Sequence, residues 1–82
     1  MDKLREDKLR GILRDHGKLA VDAMTLAEDA DLFAAGLTSF ATIQVMLAIE
    51  DAFGVEIPDE KLNRKTFSSL KALDDVIGAL GA

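Results

Sequence analysis

The stretch Asp31-Leu32-Phe33-Ala34-Ala35-Gly36-Leu37-Thr38-Ser39-Phe40-Ala41-Thr42-Ile43, which runs on into an amphipathic segment ending at Phe53, decides how this chain folds. Gly36 can take the positive φ of a tight bend, and Thr38 or Ser39 can cap the helix that follows. One of these hydroxyls therefore stands at a helix start, where backbone N–H groups and the helix dipole favour a phosphate. From Ser39 to about Phe53 the period is helical. Phe40, Ile43, Leu47 and Glu50 trace one stripe, and Val45, Met46, Ile49 and Phe53 trace another. Two apolar stripes are more than one buried face needs. Periodicity by itself favours a central helix touched on two sides. The alternative leaves Phe40, Ile43 and Leu47 exposed as a docking surface beside Ser39.

Upstream, residues 3 to about 16 read as a first helix with Leu4, Leu9, Ile12 and Leu13 on its apolar face. Gly11 costs this helix roughly 1 kcal/mol relative to alanine. Gly17 is placed to stop it, with Arg14 and Lys18 complementing the dipole. His16, the single histidine, reads as a surface or capping residue. Lys18 to Thr38 shows no clean period, yet it holds Leu19, Val21, Met24, Leu26, Leu32, Phe33 and Leu37, too many apolar side chains for a solvated linker. The expectation is an ordered crossing draped over the helices, with a short helical turn within Asp29 to Ala35 that packs Leu32 and Phe33 inward. The alternative is a longer helix beginning at Met24, for which Thr25 followed by Glu28 is a weak capping-box match.

Downstream, Gly54 ends the central helix, and Val55 to Pro58 is extended, as the residue before a proline prefers. Asp59 to Arg64 is at most a short helical segment. Ser68 is placed to cap a last helix, Ser69 to Leu80, with Leu70, Leu73, Val76, Ile77 and Leu80 on one face and Gly78 and Gly81 at its fraying end. The fold class is all-α: a small helical bundle of three main helices, with a short helix before the last and a long first loop.

A chain of 82 residues, 49% of them apolar, suffices for one domain spanning 1–82 with one core. Its four aromatics are all Phe, so that core is mainly aliphatic. The absence of cysteine excludes a disulfide framework and a thiolate nucleophile, which suits the cytoplasm. No apolar run approaches the roughly 18 residues of a membrane span, and the charged start is unlike a signal peptide. The net charge of −5 is unevenly spread. All ten Lys and Arg lie within Lys3 to Lys18 and Lys61 to Lys71, whereas Leu19 to Glu60 holds nine acidic residues and no basic one. Such a surface repels nucleic acid and anionic lipid and steers towards basic protein partners.

An enzyme reading has little support. No His/Asp pair is placed to activate a hydroxyl, and neither a metal-binding spacing nor a glycine-rich phosphate cradle is present. The pattern F-x-x-G-L-x-S-F, from Phe33 to Phe40, resembles the phosphopantetheine attachment site of acyl and peptidyl carrier proteins. The helix after it and F-x-x-x-I-P, from Phe53 to Pro58, extend the resemblance over roughly Leu26 to Leu80. It implies a carrier that is a substrate, not a catalyst. A separate phosphopantetheinyl transferase would move 4'-phosphopantetheine from coenzyme A onto Ser39, and the arm's thiol would hold an acyl or aminoacyl cargo as a thioester. Leu37, Thr38, Phe40, Ala41, Ile43, Gln44 and Leu47 would form the face that meets partner enzymes.

The chain departs from the family pattern where most members carry aspartate before the serine. Thr38 keeps the cap there and loses the charge. Ala41 and Gln44 likewise replace acidic residues early in the helix, so partners would be selected more by shape than by salt bridges. The run G-L-T-S-F-A-T-I-Q-V-M-L-A-I-E-D-A-F followed by L-N-R-K-T-F is most similar to free-standing bacterial carriers loaded by ligases that resemble aminoacyl-tRNA synthetases. The implied cargo is a small amino acid, glycine or alanine, passed on to a downstream acceptor enzyme. The rivals are a fatty-acyl or polyketide carrier and, from another class, an unmodified acidic adaptor in which Ser39 is only the helix cap. A monomer in the cytoplasm, binding neither nucleic acid nor membrane, is expected.

Overall fold

Asp2 opens the first helix: its carboxylate accepts from the Leu4 and Arg5 amides at 2.8 and 3.2 Å. The computed structural model describes residues 2–81, and it places α1 at Lys3–Ile12, α2 at Ser39–Phe53 and α3 at Leu70–Ala79. A single 3-10 turn, Asp59–Lys61, precedes α3, and no strand is present among the described residues. This is the expected all-α arrangement of three main helices, a long first connection and a short helical piece before the last.

α1 does not run regularly to residue 16. At Leu13–Gly17 it widens into a π-helical turn, and Lys18 takes the left-handed conformation (φ 52°) that ends it. Gly17 was the expected stop, but it is buried against Leu13 and Leu19 while the reversal falls one residue later. Leu4 also departs from its expected place: it is exposed, whereas Leu9, Ile12 and Leu13 are core. Arg10 occupies the buried face instead. Its guanidinium donates to Glu6 (2.8 Å) and to the backbone carbonyls of Ala23 (2.8 Å) and Leu26 (2.6 Å), pinning the first connection onto α1.

That connection is ordered, as its apolar content required. No long helix starts at Met24. Asp22 instead accepts from the Met24 amide, and a helical turn forms at Asp31, whose carboxylate caps the Phe33 and Ala34 amides. The Leu32 amide donates to Ser68 O at 2.8 Å, and the Lys71 amide donates to Glu28 O at 2.9 Å, so the loop satisfies backbone groups at the start of α3. Ser69, not Ser68, caps α3: its hydroxyl accepts from the Ala72 amide, while the Ser68 hydroxyl donates to Lys65 O. Serines 68 and 69 are interchangeable in composition, and the carbonyl within reach decides which one caps.

The core draws on every segment. Leu9, Ile12 and Leu13 meet Ala41, Val45 and Ile49 of α2 and Leu70, Leu73 and Ile77 of α3, while Ala23, Leu32, Leu37, Ile57 and Phe67 close the gaps from the connections. α1 packs against both other helices, and Arg5 pairs with the largely buried Asp74 across α1 and α3. At the far end of α2, Gly54 takes φ 64° and its amide closes on Glu50 O. The Glu50 carboxylate accepts from the Ile57 amide at 2.9 Å, which holds the extended 55–58 segment against the helix. No helix among the described residues is long and apolar enough to cross a membrane.

Candidate functional site

Ser39 is the first residue of α2, and the local sequence puts it there. Gly36 bends the chain with φ 114°, a region where a Cβ is strained. A methyl at residue 36 would also stand 3.1 Å from the Ala20 backbone nitrogen, which itself donates to Ala35 O. The bend thus locks the start of the first connection against its end and points the chain into α2. Thr38 is extended, and its hydroxyl accepts from the Ala41 amide at 3.1 Å, so Thr38 and not Ser39 is the cap.

This division of labour leaves the exposed Ser39 hydroxyl without an intramolecular hydrogen bond among the described residues. The amides of Ser39 and Phe40 have no acceptor within the helix, and no acidic residue stands in its first turn. An anion on Ser39 therefore meets partial positive charge from the helix start and no nearby carboxylate of that turn.

Beside Ser39 runs a groove of about 440 Å³, lined by Phe33, Ser39, Thr42, Ile43, Met46, Leu62, Asn63, Arg64 and Phe67. Its walls are mostly apolar, and its volume falls in the range of small-molecule sites. Two of its four polar side chains are committed. Thr42 Oγ1 donates to Thr38 O, and Asn63 bridges Glu60 O and the Thr66 amide. The guanidinium of Arg64 lies over the Phe33 ring, 4.0 Å from its centroid.

Of the residues singled out in the sequence as a docking face, Phe40, Ile43 and Leu47 are 65%, 53% and 52% exposed and form one side of α2. Thr38 is exposed beside them and Gln44 is half-buried. Leu37 and Ala41 are corrections: at 4% and 2% exposure they belong to the core, so neither presents a surface to a partner. Leu37 faces inward because the bend at Gly36 turns it under α2, and Ala41 shares the buried line of Val45 and Ile49. The two stripes of the central helix thus resolve into one inward face and one outward face.

The groove residues Leu62, Asn63 and Arg64 lay outside the expected site. They belong to an irregular segment with no period to read, some twenty residues from Ser39. The sequence signals there were the return of basic charge after residue 60 and the L-N-R-K-T-F run that carried part of the family resemblance. The groove and the uncommitted serine suit a phosphopantetheine group: an exposed oxygen to hold it, a neutral helix start for its phosphate and an apolar wall for its arm.

Comparison with known proteins shows the family. Residues 7–73 match the family described as "Phosphopantetheine attachment site". The chain is 52% identical over 69 residues to the aminoacyl carrier protein of Agrobacterium fabrum, covering 84% of this chain and 83% of that one. It is 38% identical over 55 residues to the acyl carrier protein of Sinorhizobium fredii, covering 66% and 68%. Among solved structures it is similar to a carrier protein from Agrobacterium tumefaciens in complex with an engineered Bradyrhizobium japonicum glycine:carrier protein ligase and ATP. That match has a TM-score of 0.88 at 48% identity, over 92% of this chain and 97% of that one. Carrier proteins with a phosphopantetheine attachment site are the family to which this chain belongs.

Proposed function

We propose that this protein carries a small amino acid, glycine or alanine, on a 4'-phosphopantetheine arm attached to Ser39. The observation that supports the attachment point is the uncommitted, exposed hydroxyl at the first position of α2, freed by the Thr38 cap. When bound, the group supplies a thiol that holds the cargo as a thioester. The protein's own residues position and present it. Thr38 fixes the helix start, the neutral first turn tolerates the phosphate charge, and Phe40, Ile43, Gln44 and Leu47 offer a mostly apolar face beside the attachment point.

The aminoacyl reading rests on likeness: 52% identity to an aminoacyl carrier protein, and close similarity to a carrier bound to a glycine ligase. The partners are then a phosphopantetheinyl transferase, an amino acid:carrier protein ligase that spends ATP, and an acceptor enzyme for the cargo. Low charge early in α2 matches recognition by shape. Acidic balance and the absence of cysteine accord with a monomer in the cytoplasm, and a core shared by every element accords with one domain over residues 1–82.

Incubation with a promiscuous phosphopantetheinyl transferase and coenzyme A adds one phosphopantetheine to the intact mass, and Ser39→Ala abolishes the gain. Persistence of the increment in that variant overturns the assignment of Ser39. The apolar walls of the groove favour one second reading, a fatty-acyl or polyketide carrier. Offering the modified protein ATP with an amino acid ligase or a fatty-acyl ligase, then weighing it, separates the two cargoes.

A further inference from the structure

Two polar groups in the groove beside α2 remain uncommitted when the hydrogen bonds are traced: the Ser39 hydroxyl and the Arg64 guanidinium. Thr42 and Asn63 are engaged with backbone. Arg64 makes no ion pair or hydrogen bond among the described residues, and no carboxylate lines the groove. It is also the only cation among the lining residues.

Its guanidinium lies over the Phe33 ring, 4.0 Å from ring centroid to guanidinium carbon. A cation–π contact of this kind does not consume the guanidinium N–H donors, which keep a fork suited to phosphate or carboxylate oxygens. It also restrains a long side chain before any ligand arrives, which lowers the entropy lost on binding. Arg64 is exposed at the groove, so an anion reaches it from solvent without displacing a carboxylate. Phe33 thus links two segments of the site: it belongs to the turn leading to Ser39, and its ring lies beneath Arg64 from the connection before α3.

We infer that Arg64 holds the phosphodiester of the arm on Ser39, with Phe33 as its platform. The inference rests on Ser39 being the attachment point and adds a residue from the connection before α3 to the site. Holding the phosphate directs the arm along Phe33, Met46, Leu62 and Phe67 instead of leaving it free in solvent. The alternative is that Arg64 only covers Phe33 as a solubilising cap.

The test compares apo and phosphopantetheine-modified protein by ¹H–¹⁵N and ³¹P NMR, after mass spectrometry has established modification. The Arg64 Nε–H signal, identified by its absence in Arg64→Gln, is expected to shift on modification and to exchange more slowly with water. The ³¹P signal of the modified protein is expected to move in Arg64→Gln, to move less in Arg64→Lys and to stay unchanged in Lys65→Gln. High salt, which shortens the screening length to about 3 Å at 1 M, is expected to narrow the difference between wild type and Arg64→Gln. Modified wild-type protein whose Arg64 Nε–H signal matches that of apo protein, or whose ³¹P signal matches that of modified Arg64→Gln, overturns the role of Arg64 while leaving Ser39 intact. Equal ³¹P shifts in Lys65→Gln and Arg64→Gln also overturn it, because they indicate diffuse charge. A wild-type protein that gains no mass overturns the attachment reading itself, and this inference with it.

Discussion

Thr38 Oγ1 accepts from the Ala41 amide, so the neighbouring serine keeps its oxygen free of the helix it opens. Substituting Thr38 by alanine removes the cap and is expected to lower stability by about 1 kcal/mol, read as a shift in the urea midpoint. Ser39→Ala is expected to leave that midpoint in place while abolishing modification, because its hydroxyl has no structural partner. Gly36→Ala meets both a positive φ and the Ala20 backbone, so a loss of about 1–3 kcal/mol is expected in the same measurement. Charge at single residues matters less. The Arg14 guanidinium holds the Asp15 carboxyl below its usual range, a shift that favours the folded state above the unfolded pKa and is lost as pH falls through the folded one. Both side chains of that pair are more than half exposed, so Asp15→Asn is expected to leave the acid-unfolding midpoint unchanged.

At the scale of elements, α2 divides into a buried side and an exposed side around its circumference. Ala41, Val45 and Ile49 face the core, whereas Phe40, Ile43 and Leu47 face out. Ile49→Ala is expected to cost about 2–5 kcal/mol, because it opens a cavity among α1 and α3 side chains. Phe40→Ala and Leu47→Ala are expected to stay within about 0.5 kcal/mol of wild type in unfolding, while raising the KM of the loading ligase for the carrier. A wild-type KM in both variants would remove this face from the docking surface. Much of this was legible before the structure. The period marked α2, the excess of apolar residues marked two faces, and the bend and cap placed Thr38 or Ser39 at the helix start, with Ser39 singled out by the family resemblance. The period did not say which stripe faced inward, since Phe40 and Val45 are alike in hydrophobicity and only the position of α1 and α3 distinguishes them. Leu37 and Ala41 were misplaced for the same reason: adjacency to Ser39 along the chain says nothing of direction.

Across the whole molecule, the connection between α1 and α2 is tied to both α1 and the start of α3. Arg10 fastens it to α1, Ser68 O and the Lys71 amide fasten it to the start of α3, and Leu32 and Leu37 enter the core beneath it. Arg10→Ala leaves two carbonyls and a half-buried carboxylate without their donor, and a loss of about 1–3 kcal/mol is expected. Hydrogen exchange is expected to rise first at the amides between residues 20 and 32 in that variant. Local sequence already determined the helices, the bend at Gly36 and a hydroxyl residue at the start of α2, because propensity, capping and periodicity act over a few neighbouring residues. The inward face of α2, the burial of Arg10 and Asp74, the choice of Ser69 as cap and the groove joining Ser39 to Arg64 were decided only by tertiary structure. Each depends on which distant segment arrives beside a given side chain, and that is settled by the shared burial of one core.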